Sequence, residues 1–223
     1  MPSATSDRKW SPDYRIAVPG KLLEPQEILA ALQEAAGEAW LGGRTAGWTE
    51  RAKPAPEASA EGAEGAVAAA PAAPAPTPEF RQVWVDVKRE GLRPAVEKLT
   101  AIHFPHFVVI AAEDRGEEIV LPYVFRLYHG KRHAEVLVTV SVHLPKAEPT
   151  VPSICDLVPG VLISEREKQE MMGVVVEGIP DGRRMFLPDD FPEGVYPWRK
   201  DETAPKAPMV RDLWSAGRPV GAG

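Results

Sequence analysis

The chain has 223 residues, of which 44% are hydrophobic, so it is long enough to bury one substantial core. Its net charge of −6 and sequence pI of about 5.5 provide no broad basic field, which argues against nucleic acid as a partner. Its one cysteine, Cys155, excludes an internal disulfide and a cysteine-rich metal or iron–sulfur cage, and it fits a reducing cytoplasm.

The sequence also lacks the usual signals of membrane insertion. No stretch approaches the ~20 consecutive apolar residues that a membrane-spanning helix needs. Residues 1–11 lack the apolar core of a signal peptide. If the protein works at a membrane, we expect another subunit to anchor it.

Residues 1–52 are predicted to form an N-terminal segment with one helix. Pro25 suits the first turn of a helix, and apolar side chains then recur at helical spacing at Ile28, Leu32 and Ala36. We predict a helix near residues 25–40. Its apolar stripe favours contact with the protein's own core over contact with a partner, because most such stripes face a core.

Residues 53–79 have a different composition from the rest of the chain. They are rich in alanine, proline, glutamate and glycine and carry almost no large apolar side chain. Such a segment buries too little surface to offset the entropy lost on ordering. We predict a disordered linker, which would separate the first helix from the main domain.

Residues 80–201 are predicted to form the main domain. Strands are predicted near residues 80–88, 107–112, 119–128 and 135–144, and a helix around Leu92, Val96 and Leu99. Pro122 suggests that the third strand lies at a sheet edge or contains a bulge. The element order predicts an α+β fold with a mostly antiparallel sheet and helices on one face. A short capped helix and an extended proline-rich arm follow, and residues 202–223 are predicted to form an extended tail.

The stretch 163–201 contains the strongest local signals. Ser164 and Glu167 have the spacing of a capping box, which predicts a helix that begins at Glu165 and ends at Gly173. Arg166 and Glu170, four residues apart, are expected to pair on that helix. Residues 174–176 are all valine and favour an extended chain.

The chain then becomes irregular but rich in proline and charge. Prolines restrict the backbone, so this segment loses less entropy on ordering than a Gly/Ser-rich loop does. Arginine side chains bind carboxylates at two points. The segment is therefore predicted to be a docking surface, although the alternative of an ordinary solvated charged loop is common for such residues.

Four sequence blocks in this stretch carry a resemblance to a known family. They read EREKQEMMGV at residues 165–174, GIPDGRR at 178–184, LPDDF at 187–191 and PWRKD at 197–201. In order and spacing they resemble the thirty-kilodalton subunit of NADH:quinone oxidoreductase (respiratory complex I) and its counterpart in membrane-bound energy-converting [NiFe] hydrogenases. Ile179 stands where that family usually has histidine, and Gly182 where it usually has leucine. A V-P-S segment at 151–153 extends the resemblance back to about residue 80.

The resemblance implies a non-catalytic scaffold subunit in the peripheral arm of a membrane-associated respiratory complex. Such a subunit docks the hydrogenase-like large subunit beside the small iron–sulfur subunit, for electron transfer coupled to ion translocation. It binds no cofactor itself; iron–sulfur clusters, and a [NiFe] centre in the hydrogenase branch, belong to the partners. The implied location is the cytoplasmic face of the cell membrane. Ile179 and the run from 186 to 201 favour the hydrogenase branch over the NADH-dependent one.

The same resemblance implies a set of interface residues in this chain. They are Glu165, Arg166, Glu167, Glu170, Pro180, Asp181, Arg183, Arg184, Asp190, Pro197, Arg199, Lys200 and Asp201.

The alternative function is a stand-alone soluble hydrolase. It would use the pair Asp189 and Asp190 for acid–base chemistry, or a metal bound by histidines. The histidines, which flank turns and lack an H-E-x-x-H helix, are His103, His106, His129, His133 and His143. The many nearby arginines favour salt bridges for the aspartates. Cys155 has no identifiable histidine base and is expected to be a buried or inert thiol.

Overall fold

A computed structural model describes residues 22–49, 79–130 and 134–209. In this part of the chain the main sheet contains, in chain order, β1 (Trp40–Thr49), β2 (Glu79–Lys88), β3 (His106–Ile110), β4 (Glu113–Asp114), β5 (Glu118–Leu127) and β6 (Val136–Pro145). Its strand order is β1-β2-β6-β5-β3, and β4 pairs with β5. Only β2 and β6 are parallel among these pairs. The predicted α+β fold with a mostly antiparallel sheet is confirmed.

The core lies on one face of this sheet because apolar residues alternate along its central strands. Val83, Val85 and Val87 of β2 are fully buried, and their register places them beside the buried valines 138, 140 and 142 of β6. On β5, Tyr123 and Phe125 pair with Val140 and Val138. The period-two pattern therefore predicted both the strands and the buried face correctly.

Two helices cover this face: α1 (Pro25–Ala36) and α2 (Arg89–Ile102). They contact each other, and both contact β2. Ile28 and Leu32 of α1 are fully buried, as are Leu92, Val96 and Leu99 of α2. The prediction that the first helix faces the protein's own core is confirmed.

The N-terminal segment is part of the main sheet, contrary to the separation expected from sequence. β1 pairs with β2 along its length, from Trp40↔Val87 to Thr49↔Glu79. A Cβ at Gly43 would lie 2.6 Å from side-chain atoms of both Leu29 and Trp40, so only glycine lets α1 and β1 pack this closely. The linker predicted at 53–79 lies outside the described residues except for its last position, and its limits stay a prediction.

Pro122 lies on an interior strand, so the predicted edge position is wrong. β5 pairs with β6 on one side and with β3 and β4 on the other. The carbonyl of Pro122 accepts from the amide of Ala111, which lies between β3 and β4. In an antiparallel pair, the N–H and C=O of one strand residue point to the same neighbouring strand. Pro122, which has no N–H, therefore faces the gap between β3 and β4, where the ladder is interrupted.

The C-terminal part contains α3 (Leu162–Met172) and a second, two-stranded parallel sheet of β7 (Thr150–Pro152) and β8 (Val175–Glu177). The extended valine run is thus confirmed. Residues 178–201, called here the C-terminal loop, contain neither helix nor strand. None of the described helices is long and apolar enough to cross a membrane. Of the predicted tail, residues 202–209 are described and 210–223 lie outside the described part.

Candidate subunit interface

α3 begins three residues earlier than the sequence predicted. A 3₁₀ turn at Pro159–Val161 leads directly into Leu162, and the helix start has no side-chain cap. Ser164 lies within the first turn, so the predicted capping box is wrong. The predicted end is confirmed: Gly173 has φ +64°, and its amide donates to the carbonyl of Gln169 at 3.1 Å.

Glu165 points into the protein and is fully buried. Its carboxylate accepts from the Ser153 hydroxyl at 2.7 Å, the Ile154 amide at 3.0 Å and the Cys155 thiol at 3.1 Å. A buried carboxylate needs such donors, because it has lost its water. Glu165 therefore ties α3 to the turn after β7, and it has no surface with which to contact a partner, contrary to the interface role predicted for it.

Cys155 lies in the same buried cluster. Burial raises the pKa of its thiol to about 12, and the neighbouring Glu165 carboxylate adds to this effect. The thiol is therefore protonated at neutral pH and is no nucleophile. Burial also raises the pKa of Tyr123 well above its ordinary value. The expectation of a buried, inert cysteine is confirmed.

Arg166 binds the C-terminal loop and does not pair with Glu170. Its guanidinium donates to the carbonyls of Arg183 at 2.8 Å and Arg184 at 3.2 Å, and it lies 3.4 Å from the Asp181 carboxylate. The predicted pair along the helix is wrong because both side chains find partners in this loop. Hydrogen bonds from Arg183 hold the pKa of Asp181 well below its usual range.

Glu170 is 8% exposed and accepts three consecutive backbone amides of the loop. The donors are Met185 at 2.6 Å, Phe186 at 2.8 Å and Leu187 at 2.8 Å. Three converging amides fix the backbone of a loop that has no ladder of its own. Arg166 and Glu170, four residues apart on one face of α3, thus hold residues 183–187 from two points.

Arginines also close the rest of the loop. Arg184 donates to the carbonyl of Phe191 at 2.9 Å, and Arg199 donates to that of Met172 at 2.8 Å. The Trp198 amide donates to the Met171 carbonyl at 3.0 Å. A Cβ at Gly173 would lie 2.4 Å from the Tyr196 ring, so the loop packs directly on the backbone at the end of α3.

The end of the loop is fastened to the main sheet by an ionic cluster. The ammonium of Lys146 lies 2.8 Å from the Asp114 carboxylate and 2.6 Å from that of Asp201. The Lys200 amide also donates to Asp114, at 2.9 Å. Burial alone would raise the pKa of Asp114, but the hydrogen bonds from Lys146, Lys200 and Gly116 lower it to about 2.

Other side chains of the loop face outward. Arg183 is 84% exposed although it pairs with Asp181 at 2.8 Å. Met185 and Phe186 are 40% and 47% exposed. Asp189 and Asp190, both exposed, form no ion pair with a described residue, so the salt bridges expected for them are absent from the described part of the chain.

The remaining predicted interface residues are distributed between surface and interior. Pro180 is exposed, whereas Pro197 is half-buried. Glu167 pairs with Lys168, whose ammonium lies 4.7 Å from the centre of the Trp198 ring. For every predicted interface residue except the fully buried Glu165, contact with a partner stays a prediction.

The histidines are dispersed into separate contacts. The ring nitrogen Nδ1 of His103 lies 3.0 Å from the Phe104 carbonyl, and His106 stacks on His129 with ring centres 4.4 Å apart. His143 lies between Glu118 at 3.0 Å and Asp86 at 3.3 Å. Among the described residues, which omit His133, no three His, Cys, Asp or Glu side chains are grouped to hold a metal.

Sequence reasoning missed the residues that receive the loop. Asp114 begins an Asp-Arg-Gly run that is typical of a turn, and the turn forms, with the Gly116 amide donating to the Asp114 carboxylate at 3.0 Å. Lys146 gave no signal, and Ser153 entered only through the V-P-S segment of the family resemblance. Their partners lie far along the chain, as does Lys200, which is 86 residues from Asp114. No local pattern encodes such a pairing.

The geometry defines an α+β module whose C-terminal loop is hydrogen-bonded along its length to its own chain. Residues 85–208, more than half of the chain, match the family described as "Respiratory-chain NADH dehydrogenase, 30 Kd subunit". The chain belongs to this family, as its four sequence blocks predicted.

Named relatives come from both branches of the family. The chain is 37% identical over 140 residues to "Membrane-bound hydrogenase subunit beta" of Pyrococcus furiosus, a match that covers 62% of this chain and 78% of the relative. It is 32% identical over 106 residues to an NADH-quinone oxidoreductase subunit of Acidothermus cellulolyticus, covering 48% of each chain. These relatives are subunits of hydrogenase or respiratory complexes.

A third relative is much longer than this chain. The chain is 44% identical over 78 residues to "Formate hydrogenlyase subunit 5" of Escherichia coli K12, which is 35% of this chain but only 14% of the relative. The same module thus occurs as a chain of similar length and as a small part of a larger polypeptide.

Proposed function

We propose that this chain is a non-catalytic scaffold subunit of a membrane-associated respiratory complex. It docks a hydrogenase-like large subunit beside a small iron–sulfur subunit, so that electrons pass between those partners and their transfer is coupled to ion translocation. The redox cofactors belong to the partners. The subunit lies on the cytoplasmic face of the membrane and is held there by other chains.

One observation carries the proposal: the C-terminal loop is held along its length by hydrogen bonds to its own chain. Its backbone amides and carbonyls are bonded to Glu170, Arg166 and Arg184, although it has no regular secondary structure. Binding by a pre-ordered loop avoids the entropy cost of fixing it at the moment of contact. A loop built in this way suits a permanent interface.

The longer relative supports the identity of the partner. In formate hydrogenlyase subunit 5 the matched module is covalently joined to a much larger remainder. Joining two modules that bind each other makes their contact intramolecular and raises its effective concentration. The remainder of that protein is therefore the best candidate for the type of chain that this shorter one docks as a separate subunit.

The relatives also favour the hydrogenase branch. The hydrogenase subunit beta of P. furiosus matches over a longer stretch and at higher identity than the NADH-quinone oxidoreductase relative from A. cellulolyticus does. We therefore propose that the complex is of the energy-converting hydrogenase type.

The test is purification of the full chain, tagged at its own locus, from membranes dissolved in a mild detergent. We expect a large subunit that matches the remainder of formate hydrogenlyase subunit 5, together with an iron-containing small subunit. Both should be present in equal amounts with the tagged chain and identified by mass spectrometry. The isolated chain should bind no metal and catalyse no reaction.

Cells that carry the tag on an unrelated cytoplasmic protein provide the control. The proposal fails if the tagged chain leaves the membrane extract alone. It also fails if the isolated chain turns over a substrate.

A further inference from the structure

The C-terminal loop carries two adjacent apolar side chains that do not join the core. Met185 and Phe186 are 40% and 47% exposed, and neither belongs to the buried cluster that forms the protein's core. Exposing two large apolar side chains side by side is unfavourable in water unless a partner covers them. Val108 and Val109, 44% and 41% exposed, form a second adjacent pair, but they lie on the edge strand β3 and not on the C-terminal loop. The other large apolar residues that are exposed stand singly in the sequence and need no such explanation.

The backbone under these two residues is held in place. The amides of Met185 and Phe186 donate to Glu170, and the carbonyl that precedes them, that of Arg184, accepts from Arg166 at 3.2 Å. The backbone that carries the two side chains is therefore held by the half-buried Arg166 and the buried Glu170. The loop presents them outward.

Three exposed carboxylates follow this pair closely in the chain. Asp189, Asp190 and Glu193 are exposed and form no ion pair with any described residue. The nearest arginine in the sequence, Arg184, uses its guanidinium on the carbonyls of Phe191 and Pro188. In the described part of the chain these carboxylates thus keep a negative charge that a partner of opposite charge would complement.

We propose that Met185 and Phe186 are the anchor of the interface. Their side chains occupy an apolar pocket of the large hydrogenase-like subunit. Basic side chains at the rim of that pocket meet Asp189, Asp190 and Glu193. Glu170 is a positioning residue, because its carboxylate accepts the backbone amides of both anchor residues. This inference rests on the proposed function and adds to it the contact residues and the chemistry of the partner surface.

The arrangement follows the usual distribution of binding energy in interfaces. A few buried apolar or aromatic anchors carry most of the affinity, while charged residues at the rim mainly speed association. Arg166 and Glu170, which the sequence suggested as contacts, bond the loop within the chain, and their contact with a partner stays a prediction.

The test measures the affinity of the purified full chain for the large subunit isolated from the same complex. Met185→Ser and Phe186→Ser should each weaken binding at least about tenfold, through faster dissociation. Leu41→Ser is the matched control, because Leu41 is 48% exposed on β1, at the opposite edge of the main sheet. It should bind within about twofold of the wild type.

Two further variants separate the anchor from its rim and its support. Replacing Asp189, Asp190 and Glu193 by their amides should slow association and flatten its dependence on salt, with little change in dissociation. Glu170→Gln should speed hydrogen exchange at the amides of residues 185–187 and weaken binding, with both side chains of the anchor unchanged.

The possible outcomes are distinct. If the wild-type chain binds the large subunit and both serine variants bind equally well, the anchor is wrong while the proposed function stands. If the wild-type chain binds no large redox subunit, the proposed function falls and this inference falls with it. Loss of binding in Leu41→Ser equal to that in Phe186→Ser would also overturn the assignment.

Discussion

Substitution of Glu165 tests whether this charged residue of α3 acts inside the protein or at its surface. Replacing it with alanine leaves the Ile154 amide and the Ser153 hydroxyl without their acceptor in a fully buried site. An unsatisfied buried donor costs about 1–3 kcal/mol, and the vacated volume adds to this. We expect Glu165→Ala to lower the free energy of unfolding by about 3–5 kcal/mol.

Urea unfolding of the full chain at neutral pH measures this loss as a lower midpoint with an unchanged slope. Glu165→Gln retains the shape and one acceptor oxygen, so about 1–2 kcal/mol should be lost. Glu34→Ala is the control, because Glu34 is 81% exposed on α1 and its ion pair with Lys98 is long, at 4.0 Å. It should change stability by less than about 1 kcal/mol.

An interface role for Glu165 would give the opposite result. The internal role is refuted if Glu165→Ala unfolds at the same urea concentration as Glu34→Ala while it abolishes assembly.

Three further predictions concern the loop and its attachment. Asp114 has a pKa of about 2 in the folded chain against an ordinary 3.8. It should contribute about 2 kcal/mol of stability above about pH 4, lost as the pH falls from about 4 to 2. Gly173→Ala should cost about 2–3 kcal/mol by thermal unfolding, since φ is +64° and the new Cβ meets Tyr196. Arg183→Ala should reduce assembly and leave the melting temperature unchanged, whereas Arg199→Ala should lower both.

Each of these predictions has its own control. Asp114→Asn should be less stable at neutral pH, and its stability should fall less than that of the wild type in the same acid window, where Asp181 and Asp201 still contribute. Gly194→Ala has a similar φ of +73° but open space around the new Cβ, so it should cost only about 1 kcal/mol. If the two alanine variants unfold at the same temperature, the packing of the loop on α3 has been misjudged. Equal loss of assembly and stability in Arg183→Ala would contradict its outward role.

The strands of the core could be predicted from sequence because their signal is local. Valines at alternate positions of β2 and β6 must lie on one face, whatever else the chain does. The strand β1 gave no such signal, since its sequence contains three glycines, which disfavour strands. It forms because β2 offers a free edge and because Gly43 admits the side chains of Leu29 and Trp40.

The helix α3 shows where local rules were outweighed. Ser164 and Glu167 have capping spacing, yet the 3₁₀ turn before Leu162 starts the helix earlier. Arg166 and Glu170 have pairing spacing, yet a surface pair contributes only a few tenths of a kcal/mol. Bonds to otherwise unpaired loop carbonyls and amides outweigh that gain.

The candidate interface could be proposed from the sequence, but the direction of its individual side chains could not. Charge type can be read from the sequence, whereas the direction of a side chain depends on residues 15 or more positions away, as between Glu170 and Met185. The apolar pair at 185 and 186 gave no periodic signal. Its exposure follows only from the hydrogen bonds that hold the loop in place.

The most direct test of the account is a photo-cross-linking amino acid placed at Phe186 in the assembled complex. The central claim is that the C-terminal loop contacts a neighbouring redox subunit. We predict that light joins the chain to the large hydrogenase-like subunit, and that the same amino acid at Leu41 gives no such product. Absence of the product at Phe186 in an intact, active complex would contradict the account.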